Sequence, residues 1–224
     1  MHIGLIGGIG VAATIVYYQR LTDAVARSGK TLDLTIVHAD VQELIRTNLA
    51  DLREEQARNW LPLLVRLKAA GCDVAAVTSL GGHFCFDELQ AISPLPLISA
   101  VTPLDAHFAE QGHATVGLLG TRVVMRTKLY GQLHQTRAIA LEDEVESLGQ
   151  TYQDMAVAGT CSPERRALFR DAGQRLIDAG ASAVVLAGTD LNLAFDGSEP
   201  YPVIDALDVH VDLLARLATG EATP

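Results

Sequence analysis

The sequence predicts an α/β protein made of two flavodoxin-like lobes, each with a parallel sheet. Short apolar runs alternate with amphipathic segments along the 224 residues, which is typical of parallel strands covered by helices. Residues 67–79 (LKAAGCDVAAVTS) and 176–188 (LIDAGASAVVLAG) share the order helix end, glycine, buried strand, small polar residues. The segments GLIGG at 4–8 and GLLGT at 117–121 also resemble each other. We therefore expect a duplicated lobe, with the two copies related by a pseudo-twofold axis.

The same periodicity predicts eight strands and four long helices. The expected strands are 2–6, 33–38, 73–78, 96–99, 114–119, 136–141, 182–187 and 202–205. The expected long helices are 12–28, 53–70, 143–157 and 163–179. Ser162 is expected to cap the last of these, with Pro163 in its first turn. Gly71 and Gly180 follow helical patterns and are expected to end helices.

The lobe boundaries follow from the repeat. The first lobe is expected over residues 1–100 plus 206–224, with the C-terminal helix returning to it, and the second over 101–205. Ligands bind at the carboxyl ends of parallel strands. Ser79 and Gly188 end equivalent strands, so we expect them to face each other across a ligand cleft between the lobes.

Composition excludes several classes of function. Lys and Arg number 17 against 27 Asp and Glu, so no basic surface is available to displace counterions from nucleic acid. No apolar run is long enough to span a bilayer, and the first residues lack the features of a signal peptide. Cys72, Cys85 and Cys161 form neither a disulfide framework nor a zinc motif, and they suit a reducing compartment. We expect a cytoplasmic protein without metal or cofactor.

The opening turn matches a phosphate-binding pattern only in part. Gly8, Gly10 and Ala13 form GxGxxA between a strand and a helix, where backbone N–H groups can approach an anion. The acidic residue that a dinucleotide site needs about twenty residues later is missing, since Asp40 is thirty residues after Gly10. A tight turn that holds a carboxylate, including Ile9, is the main interpretation, and a nucleotide-dependent oxidoreductase is an alternative.

Small polar residues follow two of the buried strands. Ser79 could bind a carboxylate or act as a nucleophile beside a base, but it could equally cap the next helix. His83 follows four residues later and could face the same pocket or serve only in packing. Thr189 and Asp190 follow the equivalent strand, where Asp190 could pair with a ligand ammonium or stabilise a helix N-terminus. Cys85 lies between two phenylalanines, which predicts an inert thiol.

Several motifs in order resemble the aspartate/glutamate racemase family over essentially the whole chain. They are Leu5-Ile6-Gly7-Gly8, Thr14 with Tyr17-Tyr18, Leu118-Leu119-Gly120-Thr121 with Met125, and Val203-Ile204-Asp205 with His210. The resemblance implies a two-lobed fold, a homodimer and a small amino or carboxylic acid as ligand.

Both cysteines of that family are absent at the matching positions. The family ends the first-lobe strand with Cys-Asn-Thr-x-His and the second-lobe strand with Gly-Cys-Thr-Glu, and its two thiols move the α-proton. Matching back from His83 puts Ser79 at the first cysteine, with Leu80 and Gly81 at the Asn and Thr. Gly188 stands at the second. A serine hydroxyl is too weak an acid to replace a thiolate unaided, and glycine offers no group at all.

The resemblance and these replacements define the expected site. Catalytic candidates are Ser79, His83 and Asp190, and the expected substrate-binding residues are Gly8, Ile9, Thr14, Asn48, Leu80, Gly81, Thr121, Gly188 and Thr189. One hypothesis is a racemase-like enzyme with altered, non-cysteine chemistry. A second is a binding or regulatory protein that has lost the reaction. The oxidoreductase is the third.

Overall fold

The computed structural model describes all 224 residues and divides into two compact units. One unit contains Met1–Ala100 together with His210–Pro224, and the other contains Val101–Val209. The last helix, α9 (Ala206–Thr219), begins directly after the last strand, so its first turn groups with the second unit and the rest of it with the first. The second boundary between the units therefore lies between Val209 and His210, within α9.

The first unit contains a four-stranded parallel sheet. Its elements are β1 (His2–Gly7), α1 (Val11–Arg27), β2 (Asp33–His38), α2 (Val41–Leu49), α3 (Arg53–Ala69), β3 (Val74–Val77), a 3-10 helix (Gly81–Cys85), α4 (Phe86–Ile92) and β4 (Leu97–Ile98). The strand order is β2-β1-β3-β4, and every neighbouring pair is parallel. This is the order of a flavodoxin-like sheet, with β1 and β3 at its centre.

The second unit repeats this order. Its elements are α5 (Leu104–Glu110), β5 (Thr115–Gly120), α6 (Arg122–Thr127), two 3-10 helices (Leu129–Gly131 and Glu142–Glu144) on either side of β6 (Arg137–Ile139), α7 (Val145–Ala158), α8 (Pro163–Asp178), β7 (Ala183–Ala187), a 3-10 helix (Thr189–Leu193) and β8 (Val203–Asp205). The strands lie in the order β6-β5-β7-β8, again all parallel. The predicted α/β fold with two flavodoxin-like parallel sheets is confirmed.

A glycine in each first strand lets a helix pack closely on the sheet. A Cβ atom at Gly4 in β1 would lie 3.0 Å from Leu67 Cδ1 of α3. A Cβ atom at Gly117 in β5 would lie 2.7 Å from Leu176 Cβ of α8. Leu67 and Leu176 open the two repeated segments, so the sequence repeat corresponds to one helix-on-strand contact that occurs in both units.

All eight predicted strands are present, with ends that differ by at most two residues. The Ser162 side chain accepts a hydrogen bond from the Arg165 N–H, which confirms it as the cap of α8. Gly71 and Gly180 follow the ends of α3 and α8 at φ +87° and +100°, where glycine is favoured. None of the helices combines the length and the apolar character needed to cross a membrane.

Candidate functional site

The turn after β1 is held by the Thr14 hydroxyl. Gly8 adopts φ +87°, and its N–H donates to Thr14 Oγ1 at 2.9 Å. The same hydroxyl donates to the Gly10 carbonyl at 3.0 Å and lies 3.4 Å from Thr78 Oγ1 at the end of β3. A Cβ atom at Gly8 would lie 2.4 Å from His38 Nδ1, so position 8 requires glycine for space as well as for conformation. Two polar strand ends of the first unit therefore meet here.

The Asp40 carboxylate has a structural role at the start of α2. Its carboxylate caps α2 and accepts a hydrogen bond from the Gln42 N–H at 2.8 Å. A dinucleotide site would use an acidic residue near this strand end to bind a ribose hydroxyl. The acidic residue nearest the carboxyl end of β2 thus stabilises a helix start, which gives the oxidoreductase hypothesis no support.

Ser79 leads directly from β3 into the 3-10 helix. Its side chain is mostly buried, and its Oγ accepts a hydrogen bond from the Gly82 N–H at 3.3 Å. Ser79 thus accepts an N–H of the 3-10 helix, although Leu80 is the residue at its cap position. The hydroxyl proton is not needed for that bond, so Ser79 can still donate to a ligand oxygen.

His83 is fixed by two backbone hydrogen bonds. Its Nδ1 lies 2.8 Å from the Ser79 carbonyl and must donate, while Nε2 accepts from the Ala100 N–H at 2.9 Å. The ring also stacks on Phe86 with the planes 3° apart. Burial lowers the pKa of His83 to about 4, against the smaller opposing effect of the Ser79 carbonyl. His83 is therefore a neutral ring that uses both nitrogens to hold Ser79 and Ala100 in place, and this geometry favours positioning over proton transfer.

The other residues of the first unit that were expected to bind a ligand have structural contacts or are buried. Asn48 Nδ2 donates to the Gly81 carbonyl at 3.1 Å and so anchors the 3-10 helix to α2. Ile9 and Leu80 are buried apolar residues. Trp60 packs under the helix, because a Cβ atom at Gly82 would lie 2.7 Å from its ring.

The second unit places a tyrosine at the end of β7. Tyr152 of α7 is buried, and its hydroxyl lies 3.4 Å from Asp190 Oδ2. Thr189 also hydrogen-bonds to this hydroxyl through its side chain. Thr189 and Asp190 are only 2% and 1% exposed. Burial first and the Asp190 charge second raise the pKa of Tyr152, so the phenol stays neutral and donates.

Gly188 lies close to the Tyr152 ring and to the backbone of Gly120. A Cβ atom there would be 2.5 Å from Tyr152 Cε2 and 3.0 Å from Gly120 Cα. Gly120 ends β5, so the ends of the two central strands touch at a pair of glycines. Thr121 follows Gly120 and caps α6, with its Oγ1 accepting from the Val124 N–H at 3.3 Å.

No cysteine occupies the end of β3 or β7. Cys85 is completely buried, its Sγ donates weakly to the Gly82 carbonyl at 3.5 Å, and burial followed by the Glu88 charge raises its pKa to about 12. Cys72 is also buried and lies 3.5 Å from His2 Nε2, at the opposite edge of the sheet from Ser79. Cys161 is partly exposed and precedes α8.

This arrangement predicts the reactivity of the thiols. With an aromatic disulfide reagent such as DTNB, native protein should react rapidly at Cys161 only, since burial protects Cys72 and Cys85. All three thiols should react in guanidinium chloride. Cys161→Ser is the control and should remove the rapid native phase. One fast equivalent that persists in this variant would show that a supposedly inert thiol is reactive.

Sequence reasoning did not identify Tyr152 or His38 as neighbours of the site. Tyr152 belongs to a buried stripe of α7 that also contains Val145, Leu148 and Met155. In sequence such a stripe indicates only a helix face that packs on a sheet. His38 ends an edge strand, and nothing in its spacing links it to Gly8. The one sequence signal for a close contact here is the pair Gly120 and Gly188, because glycine within or at the end of a strand often marks a place where another backbone approaches closely.

Comparisons with known proteins concern the fold and the family of the chain. A Yersinia pestis protein described as an Asp/Glu racemase candidate has 25% identity and a TM-score of 0.83, with 98% of this chain and 100% of that one covered. An aspartate racemase homologue from Pyrococcus horikoshii OT3 has 21% identity and a TM-score of 0.76, covering 97% and 99%. The aspartate racemase of Picrophilus torridus has 17% identity and a TM-score of 0.75, covering 98% and 95%. The sequence pattern of the Asp/Glu/Hydantoin racemase family matches residues 6–214, and the chain belongs to this family.

Proposed function

We propose that the protein is an isomerase-type enzyme that acts on a small amino or carboxylic acid by chemistry that does not use cysteine. The observation that carries this proposal is that Ser79 and Gly188 follow the strands β3 and β7. No cysteine stands at either position, although the family match covers residues 6–214. The similar proteins named as aspartate racemases support a small acid as the ligand. Ser79 and Asp190 are the polar groups that we propose act on it.

The proposed role of Ser79 is to donate its hydroxyl proton in a hydrogen bond to the acid. A hydroxyl that donates to the ligand can stabilise charge that develops on a carboxylate or enolate oxygen. A hydroxyl that only accepts a backbone N–H has no such effect. Asp190 is the proposed acid–base group, because it is a buried carboxylate next to a hydrogen-bond donor. His83 is proposed to position Ser79 through the Ser79 carbonyl.

Replacement of Ser79 tests this function. Ser79→Ala should lower turnover of the acid by roughly 100-fold or more, while its Kd changes less than about threefold. Turnover is measured by NMR as loss of substrate or as deuterium uptake at its α-carbon. Ser162→Ala is a matched control, because Ser162 Oγ also accepts an N–H three residues ahead at 3.3 Å. Both variants should lose about 1 kcal/mol of stability, but the control should keep full turnover.

A binding or regulatory role is the second candidate. It is favoured by His83, whose two nitrogens are both committed to the backbone, so that no free imidazole stands beside Ser79. In that case the wild type should be stabilised thermally by a small acid but show no turnover or deuterium uptake. Full turnover in Ser79→Ala would instead contradict the assignment of Ser79.

We also propose that the protein is a cytoplasmic homodimer. Val11, Ile15 and Tyr18 are 56%, 60% and 54% exposed and share one face of α1. An exposed apolar stripe of this kind is typical of a contact surface. Light scattering after gel filtration should give twice the mass of one chain, and Ile15→Glu should give a monomer. Val65→Glu, at an exposed apolar position on α3, is the control that should remain dimeric. A monomeric wild type would exclude the dimer.

A further inference from the structure

Two buried side chains of α3 each carry an N–H group that no group of the protein accepts. Gln56 and Trp60 are both 0% exposed. Gln56 Nε2 and Trp60 Nε1 have no hydrogen-bond partner among the groups of the chain. An unpaired donor in the interior destabilises a fold, and buried polar groups of native proteins are almost always paired, either with protein or with water. The two N–H groups therefore indicate a partner that is not part of the chain.

The Gln56 amide is held at its oxygen end. The Thr47 hydroxyl of α2 donates to Gln56 Oε1, so the amide oxygen has a partner and the amide nitrogen has none. The Trp60 indole offers a donor as well, and two donors cannot pair with each other. What both side chains require is the same kind of group, a small hydrogen-bond acceptor.

The helix brings the two donors to one place. Gln56 and Trp60 lie four residues apart on α3 and so share one of its faces. Side chains on a helix lean towards its N-terminus, which directs the Trp60 indole over the turn that carries Gln56. The N–H belongs to the five-membered ring, the ring nearer to the α3 backbone. One acceptor can therefore serve both side chains.

The outer ring of the same indole packs against the segment that follows Ser79. A Cβ atom at Gly82 would lie 2.7 Å from Trp60 Cη2. The Gly82 N–H donates to Ser79 Oγ at 3.3 Å. Whatever fixes the Trp60 indole therefore also supports the 3-10 helix that begins after Ser79.

We propose that one buried water molecule is bound between Gln56 and Trp60, where it accepts both N–H groups. Water is favoured over an anion, because neither side chain carries a charge that would offset the desolvation of an ion. An internal water makes about three hydrogen bonds, and the two donors supply most of these. The site is independent of the proposed function, since neither residue is assigned to the ligand.

NMR of the indole N–H tests the site directly. Trp60 is the only tryptophan of the chain, so its indole gives a single resonance. This resonance should show a nuclear Overhauser cross-peak to water in the wild type, because the buried indole is closed to bulk solvent. Gln56→Met keeps the length of the side chain, removes the amide and should abolish the cross-peak. Gln174→Met, at a partly exposed glutamine of α8 whose amide donates to Asp178, is the control and should retain it.

Replacement of Trp60 by benzothienylalanine, in which sulfur takes the place of the N–H, tests the same site through stability. The analogue enters at one position only, because the chain has one tryptophan. If water accepts the N–H, the replacement should lower the Tm of the wild type by about 3 °C. In Gln56→Met, which has already lost the water, it should lower the Tm by less than about 1 °C.

Three results would overturn the proposal. The first is a wild type without the water cross-peak, or a Gln56→Met variant in which the cross-peak is unchanged. The second is an unchanged or higher Tm with benzothienylalanine in the wild type, which would show that the N–H is unpaired. The third is a loss of Tm without a cross-peak, which would show a direct hydrogen bond from Trp60 to a flipped Gln56 amide.

Discussion

Lowering the pH from 7 to 4.5 is expected to reduce the free energy of unfolding by about 5 kcal/mol, because two buried histidines of the first unit stay neutral in the native state. Burial lowers the pKa of His83 to about 4 and that of His210 to about 3. For His210 the nearby His83 also lowers the pKa and the Ile98 backbone partly opposes this. In the unfolded chain both titrate near 6.5. As the pH falls, the unfolded state therefore binds protons on these histidines at a higher pH than the native state does. The free energy of unfolding decreases as a result.

Urea unfolding at a series of pH values between 7 and 4.5 measures this effect. The pH dependence should correspond to about two protons taken up on unfolding near pH 5, or about 2.7 kcal/mol per pH unit. His83→Gln can still donate to the Ser79 carbonyl and accept from the Ala100 N–H, but it does not titrate. This variant and His210→Gln should each halve the slope. A slope that is unchanged in both would show that neither histidine is the source.

Replacement of Asp105 by alanine is expected to cost about 3 kcal/mol, because one buried carboxylate closes a loop of the second unit. Its two oxygens accept hydrogen bonds from the N–H groups of His134, Gln135 and Thr136, at 2.9 to 3.2 Å. Burial alone would raise the pKa of Asp105, but these donors outweigh it and hold the pKa below its usual range. The carboxylate therefore stabilises the fold at neutral pH, and this contribution is lost as the pH falls through the lowered pKa.

Chemical unfolding of three variants tests the role of Asp105. Asp105→Asn keeps one oxygen as acceptor and should lose about half as much stability as Asp105→Ala. Asp143→Ala, at an exposed aspartate of the same unit, should change stability by less than about 0.5 kcal/mol. If Asp105→Ala were as stable as Asp143→Ala, the loop would not depend on the carboxylate.

The fold was predictable because its signals are local. Strands such as Val74–Val77 and Ala183–Ala187 are continuous apolar runs that follow a glycine, and helices such as α8 carry their own caps. The repeat also indicated two similar lobes. The short helices α2, α4, α5 and α6 were not predicted, since six to nine residues give too little periodicity. The contact of Asp105 with residues thirty positions away has no sequence signal at all.

The positions of the candidate residues at strand ends were predictable, but their hydrogen bonds were not. Strand ends identified Ser79, Thr189 and Asp190, whose side chains lie where the β3 and β7 strands finish. The hydrogen bonds that decide what a group can do were not visible, as with the two backbone partners of His83. The proximity of Tyr152 to Gly188 depends on the packing of α7 on the sheet, which no local pattern encodes.

The rate of α-proton exchange of aspartate in D2O, followed by ¹H NMR, most directly tests whether the protein acts without cysteine. The wild type should be compared with the cysteine-free variant Cys72→Ala/Cys85→Ala/Cys161→Ala, in a folded state verified by circular dichroism. We predict equal rates, because no thiol lies at the end of β3 or β7. A rate that falls by about tenfold or more in the cysteine-free variant would place a thiol in the reaction and contradict this prediction.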